Sequence, residues 1–191
     1  MGNYFSNAGE FLIQVAFGLY ILMVMLRFLF QLVRADFYNP VSQAIVKITN
    51  PPLVLLRRVI PGLWGIDFAS IILLLALQIL ELALILSLRG VMPQPLGLAV
   101  LSVAELLNLA IWILIITLFV RIIISWVSPG GYNPIIALLV SLTDPLMRPA
   151  RRMLPPISGL DLSPLVVFVV LQLGLMLLVQ PLRHLGQIMM Q

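Results

Sequence analysis

The sequence predicts an all-α integral membrane protein: four transmembrane helices arranged as a tandem parallel repeat, with short interfacial helices in the cytoplasmic connections. Three observations carry this. First, the 191 residues are 62% hydrophobic and 9% charged, with a mean hydropathy of +1.15. A soluble domain carries about a quarter charged residues, so this surface needs hydrocarbon as its solvent. Second, four apolar runs each approach the roughly 20 residues that a helix needs to cross about 30 Å of bilayer core. Third, sliding the sequence by 94 positions lays residues 27–70 on 121–164 without a gap. The copies share Arg27/Arg121, Tyr38/Tyr132, Asn39/Asn133, Pro40/Pro134, Thr49/Thr143, Pro51/Pro145, Arg57/Arg151, Arg58/Arg152, Pro61/Pro155, Gly65/Gly159 and Asp67/Asp161. Polar residues retained in so apolar a chain outline a frame.

The N-terminal stretch MGNYFSNAGE carries no basic residue ahead of the first apolar run, so it does not match a cleavable signal peptide. Met1-Gly2 with Ser6 fits the short myristoylation pattern formally. The first span is expected at 11–33, apolar except for Gln14, Arg27 and Gln31. The second, 68–88, is interrupted by Gln78 and Glu81. The third, 101–127, contains Glu105, Asn108 and Arg121; the fourth, 165–182, has Gln172 near its middle and Pro181 near its end. The repeat units are 1–94 and 95–191.

Basic residues give the orientation. Arg34, Lys47, Arg57 and Arg58 lie in the first connection, and Arg148, Arg151 and Arg152 in the third; the second connection has Arg89 and the C-terminus Arg183. The positive-inside rule then places both long connections in the cytoplasm and both termini outside. Each unit crosses twice and returns to its starting side, so the copies share one orientation, unlike an inverted repeat. A four-helix bundle with a pseudo-twofold axis is the expected packing.

Each connection contains an amphipathic stretch. After Asn39-Pro40, the residues Val41, Ala44, Ile45 and Ile48 fall at helical spacing, as do Ile135, Leu138, Leu139 and Leu142 in the second copy. Asn as cap and Pro at the first helical position begin such a helix. Thr-Asn-Pro or Thr-Asp-Pro is expected to end it after about 11 residues, because the residue before proline is pushed out of the α region. A helix of that length is too short to span and belongs in the interface.

Several classes of function are excluded or weak. Absence of cysteine removes thiol catalysis, disulfides and iron–sulfur ligation. His184 stands alone, and no phosphate loop or nucleophile elbow is present. The sequence predicts no enzyme, no catalytic or metal site and no cofactor. Nucleic acid is not an expected partner, because the arginines border apolar spans and form no solvated basic face.

The frame offers three sets of candidates. Arg57, Arg58, Arg148, Arg151 and Arg152 fit either anchoring to anionic lipid headgroups, worth about 1 kcal/mol each, or docking of an anionic partner. Asp67 and Asp161 each open a span and suit a helix cap at the positive dipole end. Arg27 and Arg121 lie about six residues, roughly 9 Å, inside the membrane, where an arginine is costly unless it snorkels or is paired. Contacts Arg27–Asp67 and Arg121–Asp161, direct or through loop carbonyls, are therefore expected as a clamp. Part of an ion path is the alternative for these arginines. Within the membrane, Gln78 and Gln172 occupy matching positions suited to interhelical hydrogen bonds. Glu81 and Glu105 lie toward the outer side.

With those residues laid out, the chain resembles the YggT family in its two-copy bacterial form. The segments TDPLMRPARRMLPPISGLDLSPLV and, with departures at Asn50 and Ala69-Ser70, TNPPLVLLRRVIPGLWGIDFASII carry the resemblance. It implies a bacterial inner-membrane protein linked to osmotic-stress tolerance and potassium uptake, or to cell division and nucleoid partition. Plastid relatives are linked to haem attachment in the cytochrome b6f complex. The expected function is a non-enzymatic accessory, assembly or scaffold protein. Its repeated frame would dock a membrane-protein partner, a second copy or anionic lipid. The alternative is a small potassium channel or transport modulator.

Overall fold

The computed structural model describes residues 2–62, 65–127, 133–153 and 161–190. Every regular element among them is helical: α1 (Gly2–Leu32), α2 (Pro40–Arg57), α3 (Phe68–Leu88), α4 (Pro95–Val127), α5 (Pro134–Met153), α6 (Ser163–Gly174), a π-helical turn (Leu175–Val179) and α7 (Gln180–Ile188). Among the described residues four stretches are long and apolar enough to span a membrane: Tyr4–Leu32, Phe68–Leu88, Pro95–Ser125 and Ser163–Ile188. The helices α1, α4 and α6–α7 are longer than their apolar cores suggest, since polar residues near their ends, such as Ser6 in α1, do not themselves break a helix.

Asn39 and Asn133 begin α2 and α5 as the sequence predicts. The Asn39 side chain accepts from the Val41 N–H at 2.9 Å, and Asn133 from Ile135 N–H at 2.9 Å. Asn39 also donates to the Pro134 carbonyl at 2.6 Å, joining the two repeats at their shared turn.

The expected stop at Thr-Asn-Pro and Thr-Asp-Pro does not occur. Helix α2 runs on through Pro51 and Pro52, and α5 through Pro145 and Pro149. The buried stripe explains why: Ser42, Ile45, Thr49 and Leu53 keep helical spacing across the prolines, as do Leu138, Leu142, Thr143, Met147 and Ala150. Pro51, Pro145 and Pro149 are exposed. Burial therefore outweighs the lost hydrogen bonds. The fourth span likewise passes Pro181, because the π turn directly before it widens the helix and separates the proline ring from the preceding carbonyls.

The spans pack as a row in which α1 meets α3, α3 meets α4, and α4 meets α6 and α7. The expected bundle with a pseudo-twofold axis is not what forms. Such an axis would make α1 touch α6 as α3 touches α4, and α1 and α6 do not meet among the described residues. Helix α2 lies against α1 and α3, and α5 against α4 and α6, while α5 also touches α1 and α2. One core accordingly joins first-repeat residues such as Ile21, Val24 and Leu53 with Leu106, Ile113, Leu138 and Leu142 of the second repeat. A smaller core around Ile115, Leu118, Met147 and Val179 belongs to the second repeat alone.

Helices α4 and α7 approach through glycine, the small-residue packing favoured in membranes. A Cβ at Gly186 would sit 2.8 Å from the Leu101 nitrogen, and one at Gly97 2.7 Å from the Met190 nitrogen. Gly186→Ala should destabilise by about 1–3 kcal/mol, read as a lower Tm in detergent. Gly18→Ala, whose Cβ meets nothing within 4 Å, should leave Tm unchanged or slightly raised. Equal effects would contradict the close approach.

Candidate functional site: two polar frames and a lateral cavity

A guanidinium inside a membrane span needs acceptors from its own protein, because lipid supplies none at depth. Arg27 is 4% exposed. Its Nη1 donates to Thr49 Oγ1 at 2.8 Å and to the Val46 carbonyl at 3.3 Å, both on α2. The Thr49 hydroxyl in turn donates to the Ile45 carbonyl at 2.7 Å. The second repeat repeats this: Arg121 Nη1 donates to Thr143 Oγ1 at 2.6 Å, and Thr143 to the Leu139 carbonyl at 2.8 Å. Arg121 also meets Asp144 at 3.3 Å, and Asp144 pairs with Arg148 at 3.2 Å. Asn50 stands at the matching position of the first copy, so this extension exists in one frame only.

The expected Arg27–Asp67 and Arg121–Asp161 contacts are replaced by a different pairing. Asp67 is held by Arg57 at 2.5 Å and accepts from the Ser70 hydroxyl at 2.6 Å. Asp161 is held by Arg151 at 3.0 Å and accepts from the Ser163 N–H at 2.9 Å. The amphipathic helix explains the exchange. It lies against α1 or α4, so its threonine reaches the deep arginine first, and its last turn brings Arg57 or Arg151 to the start of the next span. Capping is thus partial: Asp161 binds a backbone N–H, whereas Asp67 makes no side-chain cap bond. The arginine pairs are split by role. Arg57 and Arg151 tie helix to helix, and Arg58 and Arg152 are exposed, with no side-chain hydrogen bond to other described residues.

Burial acts to raise the Asp67 carboxyl, but the hydrogen bonds from Arg57 and Ser70 outweigh it and hold the group below the ordinary carboxylate range. At Asp161 burial opposes in the same way, and hydrogen bonds from Ser163 and Arg151 again win. The two sites differ in exposure: the Asp67 side chain is 4% exposed and that of Asp161 41%.

Gln78 does not bridge helices; it donates to Glu81 at 2.9 Å within α3. Gln172 is half-buried and makes no side-chain hydrogen bond to the described residues. Glu105 pairs with Arg183 at 2.8 Å, joining α4 to α7. At the same end of the molecule Glu10 pairs with Arg89 at 2.7 Å, joining α1 to α3. These two bridges correspond. Arg89 and Arg183 are 94 positions apart, while Glu10 and Glu105 are offset by one more, which hides the match in a gapless comparison. Each repeat is therefore fastened at both membrane ends. His184 is exposed on α7.

Between α4, α5 and α6 lies a cavity of about 910 Å³. Arg121, Arg151 and Asp161 line its end nearest the connections; Leu118, Phe119 and Phe168 line the other.

Comparison with known proteins gives a consistent picture. The CCB3/YggT family model matches residues 6–88 and again 100–182, the same 94-residue offset as the repeat. The chain is 43% identical to an uncharacterized protein of Pseudomonas aeruginosa over 176 residues, covering 91% of this chain and 89% of that one. It is 41% identical to an uncharacterized protein of Vibrio alginolyticus from the proC 3′ region, over 87% of this chain and 90% of that one. It is 37% identical to the uncharacterized protein YggT of Escherichia coli strain K12, over 86% of each. No solved structure gives a significant match.

The frames predict a pH signature. A carboxyl whose folded pKa is depressed adds stability above its unfolded pKa, near 3.9, and that stability is lost as pH falls through the folded value. Asp67→Asn should therefore cost about 1.5–3 kcal/mol near neutrality and flatten the acid decline of Tm. Asp161→Asn, at a more solvated pair, should cost less than about 1 kcal/mol. Melting the variants in detergent from neutral to acid pH checks both. Equal costs for the two would contradict the difference in burial.

Proposed function

The chain belongs to the CCB3/YggT family, and from that premise we propose a non-enzymatic accessory or scaffold protein of the bacterial inner membrane. Its two polar frames dock a membrane partner or anionic lipid. The observation that supports this most is the division of labour within each arginine pair. Arg57 and Arg151 are spent on Asp67 and Asp161, which fixes Arg58 and Arg152 at matching, outward-facing positions. Anchoring alone does not require that a neighbour be immobilised. Arg148, also exposed on α5, extends the second patch, so the second frame is the stronger docking face. The basic connections face the cytoplasm in this reading, with both termini in the periplasm.

A second reading is an ion pathway, potassium included, serving osmotic adaptation. It draws on Glu81, a carboxylate buried inside α3 and a functional candidate on that ground alone. Against it, Arg27 and Arg121 are committed to Thr49 and Thr143, and Glu105 to Arg183, so no succession of uncommitted ionisable groups runs through the spans among the described residues.

A photo-crosslinker at position 152, compared with one at exposed Met92 on the opposite side, tests the docking reading in cells. Capture of one defined membrane partner from 152 and not from 92 is expected. Equal or absent capture from both would overturn protein docking. Potassium flux through purified protein in liposomes, abolished by Arg121→Gln, would instead establish the second reading.

A further inference from the structure

The two frames are built alike but enclosed differently. In the first repeat the positions matching the cavity wall are mostly shut: seven of the twelve, Arg27, Leu53 and Asp67 among them, are buried, four are half-buried, and Arg57 is exposed. That frame shares one core with Leu106, Ile113, Leu138 and Leu142 of the second repeat. Among the described residues nothing covers the second frame in this way, and its core is built from the second repeat alone. There the cavity stays open, the Asp161 side chain is 41% exposed and that of Arg151 47%.

The cavity has a vertical polarity. Arg151 and Asp161 stand at the connection end with Arg121 below them, and with the Asp144–Arg148 pair beside Arg121 counted in, the group carries one net positive charge. Arg151 engages Asp161 through Nε, so its two Nη groups make no hydrogen bond to other described residues. Deeper in, the wall is Leu118, Phe119 and Phe168, closed by an edge-on contact of the two rings at 5.4 Å. Its volume lies within the roughly 300–1,000 Å³ of ligand sites. A molecule matching this pattern carries an anionic head at the interface and a hydrocarbon chain directed inward.

We propose that this cavity is a binding site for one anionic glycerophospholipid, the phosphate on Arg151 beside Arg121 and an acyl chain against Phe119 and Phe168. The lipid takes the place that the second repeat fills for the first. This deepens the docking reading given above and rests on it, by naming one ligand class for the second frame. A zwitterionic lipid brings its own cation and gains nothing net from the positive site; a free phosphate leaves the apolar wall uncovered.

The test is lipid retention by the full chain, reconstituted in phosphatidylcholine bilayers containing a minor fraction of phosphatidylglycerol, then extracted and weighed intact by native mass spectrometry. One phosphatidylglycerol per chain, enriched over phosphatidylcholine and not displaced by excess inorganic phosphate, is expected. Arg151→Gln should lower that enrichment about five-fold, the factor equivalent to roughly 1 kcal/mol per basic residue at an anionic headgroup. Lys47→Gln, at an exposed cation of the first connection that belongs to neither frame, should leave it unchanged. Leu165→Trp, which fills the cavity mouth without touching a charge, should lower retention of both lipids. Absence of enrichment, equal loss in Lys47→Gln, or displacement by phosphate alone would overturn the proposal. If enrichment fails while crosslinking from position 152 persists, the lipid site falls and docking stands. Retained enrichment with crosslinking lost gives the reverse.

Discussion

Two guanidinium groups cannot be left facing hydrocarbon, and much of the architecture follows from that constraint. Arg27 and Arg121 sit on spans that lipid would otherwise surround. Each is met by a threonine hydroxyl on an amphipathic helix, and the hydroxyl is anchored in turn to a carbonyl one turn back. The helix must lie against the span at that height for the bond to form. Once there, its C-terminal arginine reaches the aspartate that opens the next span. One buried charge thus sets the height of the connecting helix, and that helix sets where its partner span begins.

The repeats show how one frame serves two surroundings. In the first, the frame is covered by the second repeat and its carboxylate is buried. In the second, the same residue types border a cavity, and Asp144 adds a further counter-charge where the first copy has Asn50. The extra acidic group accompanies the more solvated arginine. At the opposite membrane end Glu10–Arg89 and Glu105–Arg183 fasten the same helix pairs, so each unit is held at both ends.

Class, span count and the tandem repeat were legible because hydropathy and a gapless 94-residue offset report them directly. The asparagine caps were legible for the same local reason. The pairing was not. Arg27 and Asp67 were both visible, but distance along the chain does not say which of two arginines reaches an aspartate; the height of α2 decides it. Thr49 and Thr143 carried a signal, each 22 positions after its arginine, though threonine in an apolar chain reads as unremarkable. The prolines misled because the local preference they impose is weaker than burial of the stripe from Ser42 to Leu53. The row of spans was out of reach, since composition does not specify which apolar faces meet.

The central claim is that the deep arginine holds the amphipathic helix in place. Hydrogen exchange of Arg27→Gln in lipid nanodiscs tests it most directly. Loss of amide protection across Pro40–Arg57, with Phe68–Leu88 still protected, is the predicted result. Unchanged protection of Pro40–Arg57 would contradict it.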